Sequence, residues 1–275
     1  MLFTLLIEAI VMKHLLFLTL LTIARFVGAQ TTREPLFTSF DGTQLHYDVL
    51  GEGKPVVLLH GFITNGESWK RAPVRQALAD AGFKVVTLDL RGNGRSDKPH
   101  TAEAYSNNAE LKDVMALMKH LGLTQYDVVG YSRGAILVAK LLTMDKQVRR
   151  AVMGGMSADF TDPNWYRRKN FHEALTKPGS HPELQGAVDN AKKSGADTIA
   201  LARMQEFQPT TSRAELGKLR VPLLVVNGDK DLDNGNPQEL ADAVPGARLV
   251  MVPGTHGGAM STPEFAKAVV QFLKE

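Results

Sequence analysis

Short apolar runs rich in β-branched residues recur along the chain at residues 56–59, 85–88, 128–129, 151–153, 223–226 and 249–252. Runs of that length without polar interruption predict strands buried on both faces of a parallel sheet. An earlier segment, residues 44–50, predicts a hairpin edge with a strand at 36–40, and Asp41-Gly42 supplies the turn between them. Between the runs the period changes. Leu111, Val114, Met115 and Met118 fall at i, i+3, i+4 and i+7, which marks one buried helix face. Phe265, Val269, Phe272 and Leu273 repeat the pattern near the C-terminus, where Thr262 and Pro263 suit the N-cap and first turn. Strand and helix in alternation predict an α/β fold: a mostly parallel sheet with helices on both faces. Residues 159–219 break the rhythm. They contain no clear strand, and they scatter Trp165, Tyr166, Phe171, Met204 and Phe207 among polar residues, as a small helical insertion would.

The 275 residues are enough for one large domain. Net charge is +3 and no Lys/Arg stripe interleaves with aromatics, so nucleic-acid binding has no support. Cysteine is absent, which excludes disulfides, a thiol nucleophile and thiolate metal ligands. Residues 1–29 differ from the remainder. Lys13 and His14 precede an apolar run over 15–23, and Val27-Gly28-Ala29 places small residues where a signal peptidase acts. This reads as a signal peptide cleaved after Ala29, with Met12 a candidate start. It predicts export to the periplasm or medium, with no stable membrane span after cleavage. An uncleaved anchor is the alternative, and Lys13 and Arg25 interrupt any single span.

Gly130-Tyr131-Ser132-Arg133-Gly134 follows one apolar run and precedes an apolar helix over 136–142. In that setting the strand must turn sharply into the helix. Ser132 is then held in a strained conformation above the strand ends, with its hydroxyl at the positive end of a helix. A hydroxyl needs a base to become a nucleophile. His256, in the glycine-lined loop just past the last strand, is the best placed of eight histidines. His60 also ends a strand, but reads better as a buried histidine shaping its loop. His172 and His181 fall in the insertion and are expected to be exposed. Three acids compete to orient the base: Asp231, Asp229 and Asp159 each follow a strand. Asp231 is preferred, because the order Ser132, Asp231, His256 suits three groups on successive strand ends. Two N–H donors are needed for an oxyanion, and Arg133 and Phe62 are the candidates. The Arg133 side chain itself reads as a surface or structural ion-pair partner.

These segments together resemble the α/β-hydrolase fold superfamily, from about residue 36 to the C-terminus outside the insertion. The resemblance rests on His60-Gly61-Phe62, on Asp89-Leu90-Arg91-Gly92-Asn93-Gly94-Arg95-Ser96-Asp97, and on Gly130-Tyr131-Ser132-Arg133-Gly134. Gly228-Asp229-Lys230-Asp231 and Gly254-Thr255-His256-Gly257 complete it. It implies an eight-stranded sheet, a helical cap between the sixth and seventh strands, no cofactor and no metal. It also implies a backbone donor at Phe62 and a purely structural 89–97 loop. The expected activity is hydrolysis of a carboxylic ester-type bond by Ser132, Asp231 and His256. Thioesterase, lactonase, C–C hydrolase and cofactor-free peroxidase chemistries run on the same triad, and a non-catalytic binding protein is a further alternative. Relatives with a carboxylate nucleophile differ at position 132. Ala135 departs from the second glycine many relatives carry. The expected partner is a small molecule with an apolar acyl or alcohol group, the insertion's aromatics serving either that group or the cap's own core.

Overall fold

The computed structural model describes residues 35–275, so the leader expected over residues 1–29 lies outside the described residues. Eight strands form one sheet: β1 (Leu36–Thr38), β2 (Gln44–Leu50), β3 (Lys54–Leu59), β4 (Phe83–Leu88), β5 (Tyr126–Tyr131), β6 (Val148–Gly154), β7 (Leu223–Gly228) and β8 (Arg248–Val252). Their spatial order is β1-β2-β4-β3-β5-β6-β7-β8. The β1–β2 and β2–β4 pairs are antiparallel and all the others parallel. Residues 39 and 40 lie outside the strand expected over 36–40, because the chain already turns there. The Ser39 carbonyl accepts from Gly42, whose φ of 90° is one that glycine adopts without strain. β5 is longer than its apolar signature, since buried Tyr126 and Asp127 extend it backwards. β8 is an edge strand and is only partly buried despite its apolar sequence.

Period-2 alternation divides the strand residues between two cores. Val57, Leu59 and Val128 point to one face, where they meet Leu111, Val114, Ile136 and Leu240. Val56, Leu58 and Val129 point to the other, against Trp69, Leu78, Phe265 and Val269. The first face is covered by α3 (Ala109–His120), α4 (Arg133–Met144) and α9 (Pro237–Ala243). The second is covered by α1 (Glu67–Arg71), α2 (Pro73–Asp80) and α10 (Pro263–Lys274). Thr262 caps α10 as expected, its Oγ1 accepting from the Phe265 N–H at 3.2 Å.

Between β6 and β7 the described chain contains helices and no strand. These are α5 (Tyr166–Thr176), α6 (Gln185–Lys193), α7 (Thr198–Glu206) and the short α8 (Arg213–Leu216). Ala191, Leu201 and Met204 pack with Tyr105 and, at the margin, with Phe62 and Phe207. Met204 and Phe207 therefore serve that core, whereas Tyr166 is exposed. No helix among the described residues is long and apolar enough to cross a membrane.

The 89–97 loop is tied by charge. Asp89 accepts from the N–H groups of Gly66 and Arg95, at 2.6 and 2.9 Å. Arg91, wholly buried, forks onto Asp113 at 2.6 Å through two nitrogens and also reaches Asp41 at 2.8 Å. Its role is structural, and it pins the β1–β2 turn against α3.

Candidate active site

Parallel strands bring their carboxyl ends to one edge of the sheet, and register decides which loops meet there. Leu59 pairs with Gly130, Tyr131 with Gly154, Gly154 with Val226, and Gly228 with Val252. The segments carrying Phe62, Ser132, Asp231 and His256 thus leave neighbouring strands at one level.

Ser132 sits between β5 and α4 with φ 54° and ψ −123°, a conformation that costs a non-glycine residue of order 1–3 kcal/mol. The bend is possible because its flanks lack side chains. A methyl on Gly134 would run into the Leu59 carbonyl oxygen, and one on Gly130 into the Gly134 carbonyl. Both obstacles are backbone and cannot swing aside. Gly134→Ala is expected to lower the thermal midpoint sharply or prevent soluble expression. A midpoint within 2 °C of wild type, about 1 kcal/mol or less, would contradict that account of the bend.

Ser132 Oγ lies 3.0 Å from His256 Nε2, and His256 Nδ1 lies 2.8 Å from Asp231 Oδ2. The Asp231 side chain is 1% exposed and that of His256 20%. A buried carboxylate on Nδ1 fixes the tautomer that leaves Nε2 free to accept the serine proton. Asn234 Nδ2 also comes within 3.2 Å of Nδ1, but in this tautomer Nδ1 has no lone pair to offer. That amide instead donates to the Gly155 carbonyl at 3.1 Å. The Tyr131 hydroxyl donates to the His256 carbonyl at 2.7 Å, so the residue before Ser132 holds the histidine loop. Burial first, then the nearby Asp231 and Asp233, push the Tyr131 phenol's pKa above its ordinary range, keeping it a donor. Neither Asn234 nor the Tyr131 hydroxyl was foreseeable, since no local spacing links positions 131 and 234 to 256.

The competing candidates lie elsewhere. Asp229 Oδ1 accepts from the Gly254 N–H at 2.9 Å, shaping the histidine loop without touching the ring. Asp159 opens a short 3₁₀ turn beside Gly235. His60 is buried. Its Nε2 accepts from the Leu90 N–H at 3.1 Å, and its Nδ1 donates to the Gly61 carbonyl at 2.9 Å. Burial drives the His60 pKa below the ordinary 6.5, so the ring is neutral in the folded protein. The unfolded chain then binds the extra proton, and stability falls as pH drops below that value. The wild-type midpoint is expected to fall between about pH 7 and pH 5 more steeply than that of His60→Gln. Parallel slopes in the two proteins would refute it. His172 and His181 are half-buried rather than exposed, and His181 is held between Glu173 and Glu183 at 3.1 and 3.0 Å. Neither lines the hollow at Ser132.

The Arg133 side chain is buried, not at the surface. It forks onto Glu110 at 2.8 and 2.5 Å, and one nitrogen also donates to the Met204 carbonyl of α7 at 3.1 Å. Its own N–H and that of Phe62 have no hydrogen-bond acceptor among the described residues. The 60–62 loop lies against the serine: a methyl on Gly61 would sit 3.3 Å from Ser132 Cβ. Asp231, Asp233 and His256 offer three possible metal-ligand atoms within 4.8 Å of one another, but Asp231 and His256 already use theirs on each other.

The hollow over Ser132 has a volume of about 150 Å³. Phe62, Ile136, Met156, Trp165 and Phe171 give it apolar walls. Phe62 and Phe171 stand edge to face with centroids 5.3 Å apart, joining the 60–62 loop to α5. Trp165 and Phe171 are thus the insertion aromatics that reach the site.

A family model described as the alpha/beta hydrolase fold matches residues 54–177. A putative non-heme chloroperoxidase from Synechocystis sp. is 37% identical over 245 residues, covering 76% of this chain and 87% of that protein. A non-heme haloperoxidase from Rhodococcus erythropolis is 27% identical over 259 residues, covering 81% of this chain and 93% of that one. Among solved structures, an esterase from Exiguobacterium antarcticum is similar at a TM-score of 0.72 and 23% identity, over 87% of this chain and 99% of that one. The chain belongs to the α/β-hydrolase family.

Proposed function

We propose that this protein is a serine hydrolase that cleaves short carboxylic esters through an acyl-enzyme on Ser132. The observation that carries the proposal is the unbroken run of hydrogen bonds from Ser132 Oγ through His256 to buried Asp231. His256 Nε2 takes the hydroxyl proton as Oγ bonds to the carbonyl carbon. The oxyanion is held by the N–H groups of Phe62 and Arg133. Collapse breaks the bond from acyl carbon to leaving oxygen, and the imidazolium returns the proton to the departing alkoxide. Water then adds through the same base, giving the acid and free Ser132. The volume of about 150 Å³ is small beside the ~300–1,000 Å³ of sites for drug-sized ligands. Acetyl and butyryl esters are therefore expected to be cleaved with higher kcat/KM than octanoyl or longer ones, measured on a p-nitrophenyl series.

A fluorophosphonate probe followed by peptide mapping tests the chemistry. An adduct on Ser132 is expected; no adduct, with no ester turnover, would favour a non-catalytic binding protein. The names of the Synechocystis and Rhodococcus relatives favour a second activity on the same acyl-enzyme. Hydrogen peroxide in place of water at the second step would release a peroxyacid. Export is also proposed, from the pattern of residues 1–29. Mature protein beginning at Gln30 is the expected N-terminus, and membrane-bound protein retaining the leader would overturn it.

A further inference from the structure

The apolar hollow over Ser132 also presents cations. Arg167 and Arg168, consecutive on α5, both line it and both are half-buried. Neither has a carboxylate within ion-pair distance among the described residues. The Arg167 guanidinium lies 5.4 Å from the centroid of the Phe171 ring, and Phe171 in turn packs on Phe62. A cation–π contact of this kind uses none of the guanidinium N–H groups on an acceptor, so they remain available to an anion. Arg168 makes only a long contact, 3.5 Å, to the Gln208 carbonyl. The third arginine of the lining, Arg133, is neutralised by Glu110, and the lining contains no Asp or Glu. Two partly desolvated cations beside an apolar wall, with no internal counter-charge, form a receptor for an anion.

We propose that the substrate carries a carboxylate a few bonds from the scissile carbonyl, and that Arg167 and Arg168 bind it. The inference rests on the serine-hydrolase reading and narrows it to anionic esters. A charge-assisted guanidinium–carboxylate contact in such a site corresponds to roughly a ten- to hundredfold preference in kcat/KM.

The test compares ester pairs matched in length. p-Nitrophenyl hemisuccinate or hemiglutarate against the butyrate or valerate places the anion on the acyl side. Carboxymethyl butyrate against ethyl butyrate places it on the alcohol side. A tenfold or larger preference for the anionic member of either pair is expected. Arg167→Gln and Arg168→Gln should each reduce that ratio, and the double variant should bring it to about one. Arg167→Lys should retain part of it. The preference should weaken from low to high salt, as a screened charge interaction does. Circular dichroism and thermal midpoints separate loss of binding from loss of fold. Wild-type protein that labels at Ser132 but shows no preference in either pair overturns the anionic-substrate inference alone, as does a ratio unmoved in the double variant. Protein that neither labels nor turns over any ester overturns the hydrolase reading as well.

Discussion

Ser132→Ala is expected to lower ester turnover by about 10⁴–10⁶-fold while leaving the fold unchanged. The hydroxyl oxygen is the only heavy atom removed, and alanine meets the same backbone demand at φ 54°. His256→Ala should cost a comparable factor, and the double variant should be little worse than either single one, because the groups act as a unit. Residual turnover would come from the backbone donors and from holding the ester in place. Steady-state kinetics with active-site titration checks the first claim, and thermal melts the second. A Ser132→Ala protein with a tenth or more of wild-type activity would remove the nucleophile from the mechanism.

Glu110→Ala is the second large effect, and it acts on stability. The substitution strands the Arg133 guanidinium in a position where both partners are almost wholly buried. Removing one member of a buried pair costs about 3–5 kcal/mol, because the other charge is left uncompensated. For a domain of this size that is a drop of roughly 10 °C or more in midpoint. Replacing both, as Glu110→Leu with Arg133→Leu, should be much milder, because no lone charge remains. A double variant as unstable as the single one would show that the pair's shape, rather than its charge, is what α3 and α4 require.

The parallel strands were legible because burial on both faces writes itself as unbroken apolar sequence, as at Val56 to Leu59. β5 was only partly legible. Its first turn of chain, Tyr126-Asp127, is polar in sequence, and is buried because Tyr126 donates to Asp145 and Asp127 pairs with Arg149. Ser132 and His256 stood out because each sits in a glycine-flanked bend next to an apolar run. Asp231 was preferred from its order in the chain, but that order does not separate it from Asp229 two residues away on the same loop; the backbone path does, sending Asp229 to Gly254 and Asp231 to His256. The Arg133–Glu110 pair spans 23 positions across two helices, a distance at which no sequence period operates. Arg167 and Arg168 read as ordinary polar residues of the insertion until α5 turned them over the serine.

The bond from Arg133 to the Met204 carbonyl has a mechanical consequence. It joins the helix that begins at the nucleophile to one end of the covering helices, so that end cannot swing without exposing a buried guanidinium. The opposite end is seated differently, by Trp165 buried in the core beneath the sheet's helices and by Phe171 against Phe62. The first turn of the nucleophile's helix and the cover above it are thereby bolted into one piece, so a disturbance on either side is passed to the other.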